Sequence, residues 1–398
     1  MAESLLISGA DVVTEEEIIR NGFLGIKDGI ISYAGKTRPQ ETYEKEWKAP
    51  AGSYALPGMI DIHIHGGYGA DTMDADVAAL DTMSARLPEE GTTAFLATTI
   101  TQQHENIEKA LVNAKKWASS SPQAQKGAEL IGIHLEGPFV SPKKAGAQPK
   151  QWITPADAEL FQKWERQSGG LIKIVTLAPE EDPDFSLIRY LKDQNIIPSM
   201  GHTDAGAELL QKAADAGAVH MTHLFNAMSS FHHREPGGIG TALACGRITA
   251  ELITDGIHSH PLAVKLAYLA KGSKNLIMIT DSMRAKGLKD GEYEFGGQKV
   301  TVRGDTALLS DGTLAGSILK MNEGAALMRR FTNCSWLDIA NMTSANAARR
   351  LGIFDRKGSI AEGKDADVVL TDGQCGVLAT ICRGNTAYIS KEKTPTLF

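Results

Sequence analysis

The sequence predicts an α/β protein: a (β/α)8 TIM-like barrel joined to a small β-sandwich domain built from both chain ends. Two observations carry this. From about residue 58 to 355, short apolar runs alternate with helical patterns, and there are eight such runs. On either side of that stretch the texture changes to short strands separated by Gly, Asp and Asn turn signals. A doubly wound parallel sheet is the alternative that the same alternation permits. No Gly-rich dinucleotide or phosphate-loop fingerprint supports it.

The elements follow in order. LLISGADVV, FLGIKDGIISYAGK and a third run ending near Tyr54 read as strands of the small domain. Leu56-Pro57-Gly58 is a break, which assigns residues 1–57 to that domain. The barrel runs are GMIDIHIH (58–65), TAFLATT (93–99), ELIGIHLE (129–136), LIKIVTLAP (171–179), NIIPSMGH (195–202), AVHMTHLF (218–225), ITAELITD (248–255) and NLIMITD (275–281). Between them, AELLQKAADAG (207–217) and PLAVKLAYLAKG (261–272) are rich in helix formers and end in Gly, a helix stop. Residues 282–317 hold too many turn signals for a helix. Two or three short strands around 285–317 predict a hairpin flap over the barrel mouth. A helical pattern resumes at Lys320–Phe331. The barrel is assigned residues 58–356, and the tail 357–398 returns to strand texture and joins the first segment.

The net charge of −7 argues against a nucleic-acid or polybasic membrane surface, but leaves room for a local anion pocket. Four cysteines without a CxxC pair predict no disulfide scaffold and a reducing cytoplasm. MAESLLISGADVV lacks the basic start and long apolar run of a signal peptide. No apolar stretch approaches the roughly 20 residues that span a bilayer.

Side chains alternate across a strand. Ile60, Ile62 and Ile64 are therefore expected to face the helical layer, and Asp61, His63 and His65 the barrel interior. The histidines fall at the strand's C-terminal end, where such barrels keep their active sites. A lone histidine there reads best as a satisfied core residue. Two at i and i+2 converge on one point, which favours a metal. Other runs end alike, in Glu136, His202, His223, Asp255 with His258, and Asp281. His104 and the His232–His233 pair are exceptions. A His, Glu and Asp set suits Zn or Fe far better than Ca or Mg. Imidazole and carboxylate ligands with one open position let a metal activate water and polarise a carbonyl. Asp281, with no other acid before Asp290, is the candidate general acid/base. A helix cap or an Asp-Ser turn is its bland alternative. Loop six places Asn226 and Arg234 beside the metal end, and Arg pairs bidentately with phosphate or carboxylate. After the third run, Gln148 has the reach to orient a substrate carbonyl, whereas Lys143 and Lys144 read as solvated charges.

The HxH end of the first run, HLEGPF, GHTDA, VHMTHLFNAM, HHREPG, LITDGIH, ITDSM and GTLAGS, in this order, closely resemble the N-acetylglucosamine-6-phosphate deacetylases of the amidohydrolase superfamily. The resemblance covers essentially the whole chain. It implies metal-dependent hydrolysis of N-acetyl-D-glucosamine 6-phosphate to D-glucosamine 6-phosphate and acetate, in amino-sugar catabolism and cell-wall sugar recycling. It implies Glu136, His202 and His223 as shared metal ligands. His63 and His65 would hold a second, more buried ion, with Glu136 bridging and Asp281 nearby, giving one or two Zn or Fe ions per subunit. Asp281 would be the acid/base. Asn226, the Ala227 backbone, Arg234 and His258 would contact the sugar phosphate, together with Ala147, Gln148, Leu314, Ala315 and Gly316. It also implies a homodimer in which Arg234 reaches the neighbouring site. Gln148 stands where many relatives have His, which puts its carbonyl-polarising role in doubt. His134 and His220 match no ligand and are expected to support the ligands, as is Asp61.

Competing readings remain at this point. A dihydroorotase or hydantoinase would carry a metal-bridging Lys at the tip of strand four, but Lys173 lies near the start of that run. A deaminase is less favoured because Arg234 and Asn226 suit an anionic substrate. A catalytically dead barrel used as a scaffold would usually have lost ligands that this chain keeps.

Overall fold

The computed structural model describes residues 4–120, 126–391 and 396–397. The assigned domain limits at residues 1 and 398 therefore lie outside the described residues. Eight parallel strands form the barrel: Met59–Ile64, Thr92–Thr99, Glu129–Glu136, Ile172–Leu177, Ile197–Met200, His220–Met221, Thr249–Ile253 and Leu276–Ile279. They neighbour one another in chain order. The seam between the last strand and the first is closed by backbone bonds from Asp281 N–H to His63 C=O (2.8 Å) and from His65 N–H to Ser282 C=O (2.9 Å). The wall thus closes beside the residues of chemical interest.

Several strands end at residues in the left-handed region. His202, His223 and Asp281 have φ of 46°, 30° and 47°. This explains why the fifth and sixth ladders are shorter than their apolar runs. A non-Gly residue in this region costs energy and persists only where its surroundings fix it, commonly at functional sites.

The first strand departs from simple alternation. Ile60 pairs with Ala94 and Asp61 with Phe95, but the next pairing is Ile64 with Ala97. One extra residue sits in the first strand, a β-bulge, and His63 N–H bonds the Asp61 carboxylate across it. An inserted residue flips every side chain on one side of it. Ile60 and Ile62 therefore face inward, packing with Leu96, Ile174, Ile253, Ile277 and Ile279 in the barrel floor. Ile64 faces the helices with Phe95 and Ala97. His63 and His65 face inward as expected. Asp61 does not: it turns outward and accepts a 2.5 Å bond from the Thr280 hydroxyl. Its burial pushes the carboxyl up to about 6. It still supports the site, through the residue preceding Asp281.

Helices coat the barrel by burying one apolar stripe each. Ser186–Asp193 buries Leu187, Ile188 and Leu191, each worth about 1.5–3 kcal/mol relative to exposure. The helices expected at 207–217 and 261–272 run Ala207–Ala216 and Pro261–Lys271, and the one at 320–331 runs Met321–Thr332. Ala347 and Ala348, on the helix Asn346–Arg350, close the floor against Ile60 and Ile62.

Strands from both ends of the chain form one sheet. Val368–Thr371 pairs antiparallel with Tyr54–Pro57, which pairs in turn with Leu5–Val13. Leu5–Val13 passes from Lys45–Lys48 at one end to Tyr54–Pro57 at the other, over a core that includes Leu24, Ile26, Trp47, Leu370 and Ile381.

The flap is a three-stranded antiparallel sheet, Gly291–Phe295, Gln298–Arg303 and Thr306–Leu308. Phe295 pairs directly with Gln298 across Gly296 and Gly297, whose φ of 59° and 79° suit a two-residue turn that glycine adopts freely. The flap buries Phe295, Val300, Val302 and Ala307 against Ile100 and Met283 of the barrel mouth.

Candidate active site

Glu136, the last residue of the third strand, is the hub. Its Oε1 lies 3.2 Å from His202 Nε2, 3.1 Å from His223 Nε2 and 3.4 Å from His63 Nε2. Its Oε2 lies 3.4 Å from His65 Nε2. Asp281 Oδ1 stands 3.2 Å from His65 Nε2 and 3.5 Å from His63 Nε2. Among the described residues three groups have ligand atoms spaced for an ion: Glu136, His202 and His223; His63, His65 and Asp281; and, deeper, His63, His134 and Glu251, whose atoms are taken up by hydrogen bonds to one another and to the backbone. All six residues of the first two groups are buried. The chain brings them from five strand ends, and a barrel makes those ends meet at one mouth.

The second layer fixes the rings. His202 Nδ1 donates to the Lys144 carbonyl at 2.9 Å, and His63 Nδ1 donates to Glu251 at 2.9 Å. Each bond leaves Nε2 as the lone-pair face toward the centre. His202 Nε2 and His223 Nε2 lie 3.0 Å apart beside a carboxylate oxygen, and His63 Nε2 is buried without a hydrogen-bond partner. Imidazole nitrogens and carboxylate oxygens converging in a dry place suit a bound cation, so the donor set fits a divalent transition metal.

The electrostatics agree. Burial alone would lower His63, but Asp281, Glu136 and Glu251 together raise it well above its ordinary range. His65 is raised to about 9 by Asp281 and Glu136 against the same burial. Glu136 lies well below the usual carboxylate range because His63 and the other imidazoles outweigh its desolvation. Asp281 is also lowered, burial being outweighed by His63 and His65. The cluster draws positive charge from every side.

His134 and His220 stand behind the ligands. His134 donates from Nδ1 to the Ile62 carbonyl (3.1 Å) and accepts at Nε2 from Thr176 (2.7 Å). Burial lowers it to about 3, so it stays neutral. His220 Nε2 donates to Glu251 at 3.1 Å. Glu251 was not singled out from the sequence. Its signal was an acid in the middle of the apolar run ITAELITD. His104 packs on Trp164, and His232 and His233 are exposed.

Above this centre is a pocket of about 220 Å³. His65, Glu136, His202, His223 and Asp281 form its base, and Ala147, Gln148, Asn226, Ala227, His258, Leu314 and Gly316 line its walls. Phe295, unforeseen in the sequence, brings the flap to 4.9 Å from the His65 ring. His258 is oriented by a 2.6 Å bond to Asp255, which raises it despite burial. One expectation changes, that of Ala315, and two further placements can be added. Gln148 donates to Glu136 Oε2 (2.7 Å) and accepts from Thr101 N–H (2.8 Å), so it holds Glu136 while lining the pocket. Ala315 turns its methyl into the flap core with Met283 and Phe295 and does not line the pocket. Arg234 is exposed, hydrogen-bonded to His233, and outside the pocket of its own chain.

Comparison with known proteins gives a consistent picture. The amidohydrolase family profile matches residues 54–395, and the BsNagA composite domain profile matches residues 4–53. The chain is 71% identical over 392 residues to an N-acetylglucosamine-6-phosphate deacetylase of Bacillus subtilis, covering 98% of this chain and 99% of that protein. The N-acetylglucosamine-6-phosphate deacetylase of Thermotoga maritima superposes with a TM-score of 0.85 at 33% identity, over 97% of this chain and 100% of that one. A mutant of the corresponding Mycobacterium smegmatis deacetylase, in complex with N-acetyl-D-glucosamine 6-phosphate, superposes with a TM-score of 0.89 at 28% identity, over 97% and 99%.

Proposed function

The chain belongs to the amidohydrolase family, among the N-acetylglucosamine-6-phosphate deacetylases, and from that membership we propose that its pocket hydrolyses N-acetyl-D-glucosamine 6-phosphate to D-glucosamine 6-phosphate and acetate. The observation that carries this is the meeting of Glu136, His65, His202, His223 and Asp281 at the base of one pocket, with His63 buried directly beneath them against Glu136 and Asp281.

Glu136, His202 and His223 would hold one divalent ion, and His63 and His65, with Glu136 shared and Asp281 adjacent, a second. When bound, Zn or Fe supplies Lewis acidity, polarising the amide carbonyl and lowering the pKa of water to roughly 7. Asp281 is ionised at the outset, held so by the imidazoles beside it. Its carboxylate takes the proton of the attacking water and returns it to the departing sugar nitrogen. Gln148 keeps the shared carboxylate in place. Asn226, the Ala227 backbone and His258 position the sugar phosphate, so that the amide meets the water in a fixed orientation. Phe295 closes one wall against bulk water.

A phosphate dianion calls for a fixed cation, yet no Lys or Arg is among the described residues lining the pocket. This supports a homodimer in which Arg234 enters the neighbouring subunit's site. Phe231, in the same loop as Arg234, and Leu262, Leu266 and Leu269 on a nearby helix are exposed apolar side chains that a second copy would cover. All four cysteines are free, which suits a cytoplasmic setting. Among the described residues no helix is long and apolar enough to cross a membrane.

The test is acetate release from N-acetylglucosamine 6-phosphate, its galactosamine epimer and unphosphorylated N-acetylglucosamine, after chelation and reloading with Zn²⁺ or Fe²⁺. The gluco phosphate should turn over fastest and the unphosphorylated sugar slowest. Failure of both phosphates with both ions would overturn the reading.

A further inference from the structure

Glu251 sits on the inner face of the seventh strand, wholly buried, in the middle of the barrel. One oxygen accepts from His63 Nδ1 (2.9 Å) and from the backbone N–H of His223 (3.2 Å); the other accepts from His220 Nε2 (3.1 Å). Burying a carboxylate among imidazoles, with no Lys or Arg bonded to it among the described residues, carries a desolvation cost that an apolar residue would avoid. The arrangement calls for a reason other than stability.

We infer that Glu251 is the positioning residue for the second ion, making His63 a ligand and setting the height of the His223 backbone at the same time. The inference rests on the two-ion reading given above. An ionised carboxylate only accepts hydrogen bonds, so the His63 nitrogen facing it carries the proton. The other nitrogen, Nε2, is then a lone pair aimed between Glu136 Oε1 (3.4 Å) and Asp281 Oδ1 (3.5 Å), and it is buried without a hydrogen-bond partner. The negative charge behind the ring also makes it a stronger donor to a cation, as carboxylate–histidine pairs do at other metal sites. Because the same oxygen receives the His223 N–H, the two ligand groups share one anchor.

The experiment is zinc titration of ion-stripped protein with a competing chelator, on the parent, on Glu251→Gln and on His63→Gln as the control that lacks a second-site ligand. The parent should bind two ions per chain. In Glu251→Gln the ion that the control loses should bind roughly 10- to 100-fold more weakly, and the other ion, whose ligand His223 is held by Glu251 only through its backbone, should be weakened less. Equal weakening of both ions would mark Glu251 as merely structural and overturn the inference, as would no change. A parent that binds only one ion would instead overturn the two-ion reading, and this inference with it. Should Glu251→Gln not fold, ¹⁵N-histidine spectra of the zinc-loaded parent decide. Zinc on His63 Nε2 with the proton kept on Nδ1 supports the inference, and zinc on Nδ1 overturns it.

Discussion

Glu129 and Glu136 are the first and last residues of the same barrel strand, and their surroundings differ completely. At the floor, Glu129 meets cations: Arg356 at 2.9 Å, Lys357 at 2.8 Å and Arg383 at 3.4 Å. Lys357 is buried and also pairs with Asp365 and Asp367. These charges close on one another and tie the barrel to the terminal sheet through Arg383. At the mouth, Glu136 meets imidazoles whose inner nitrogens point into common space, the outer nitrogens of His202 and His63 being held. One carboxylate is neutralised by the chain itself. The other is paired, among the described residues, with imidazoles alone, which carry charge only when protonated. The same residue type supports stability where its charge is answered and chemistry where it is not.

The comparison can be broken or sharpened by measurement. The largest effect belongs to the mouth: Asp281→Asn should cut turnover by roughly 10²–10⁴-fold with bound metal unchanged. A near-normal rate would remove Asp281 from its role. Next, Arg234→Ala should lower kcat/KM for the phosphorylated substrate by roughly 10- to 100-fold, the loss of about 1.5–3 kcal/mol from a charged hydrogen bond. Mixing Arg234→Ala and Asp281→Asn subunits should recover activity, because one site of the mixed dimer then has an intact Asp281 and a donated Arg234. No recovery would place the arginine's action within its own chain.

The floor should respond in stability only. Lys357→Met leaves Glu129, Asp365 and Asp367 without their buried partner, and should destabilise by about 3–5 kcal/mol in denaturant titration. The rate per folded molecule should not change; a drop in kcat would show that the two ends of the strand are coupled. The smallest effect is on pH. Burial alone would raise Glu129, but Arg356 and Lys357 hold it down to about 2, from an ordinary value of 4.5. A depressed carboxyl adds stability that is complete above the unfolded value and disappears as pH falls through the folded one. Between pH 4.5 and 2, Glu129→Gln should therefore flatten the fall in parental stability, seen as melting temperature against pH.

Much of this was legible in the chain. The apolar runs located all eight barrel strands, and the His, Glu and Asp residues near the ends of most of them marked the mouth. Reading His63-Ile64-His65 as an inward pair worked because the bulge lies just before it. Asp61 was misplaced for the same reason: periodicity counts residues, and a bulge adds one without leaving a mark in composition. Ala315 occurs in a segment that does line the pocket, yet a loop has no fixed period to say which way each side chain turns. Arg234 has the right chemistry, but its own chain leaves it in solvent.

By itself, the sequence determined the strand order, the ligand types and the end of the barrel that bears them, because these follow from local periodicity and from where polar residues interrupt it. Only the tertiary structure decided what meets what. His63 and Glu251 are 188 residues apart in sequence, and their bond exists because the barrel closes with one particular register. The closure brings His63 and Asp281 into backbone contact, sends Asp61 outward to Thr280, and lays the flap's Phe295 over His65. Side-chain direction at a strand end depends on bulges, left-handed turns and packing across the barrel, and those are properties of the closed sheet rather than of any one segment.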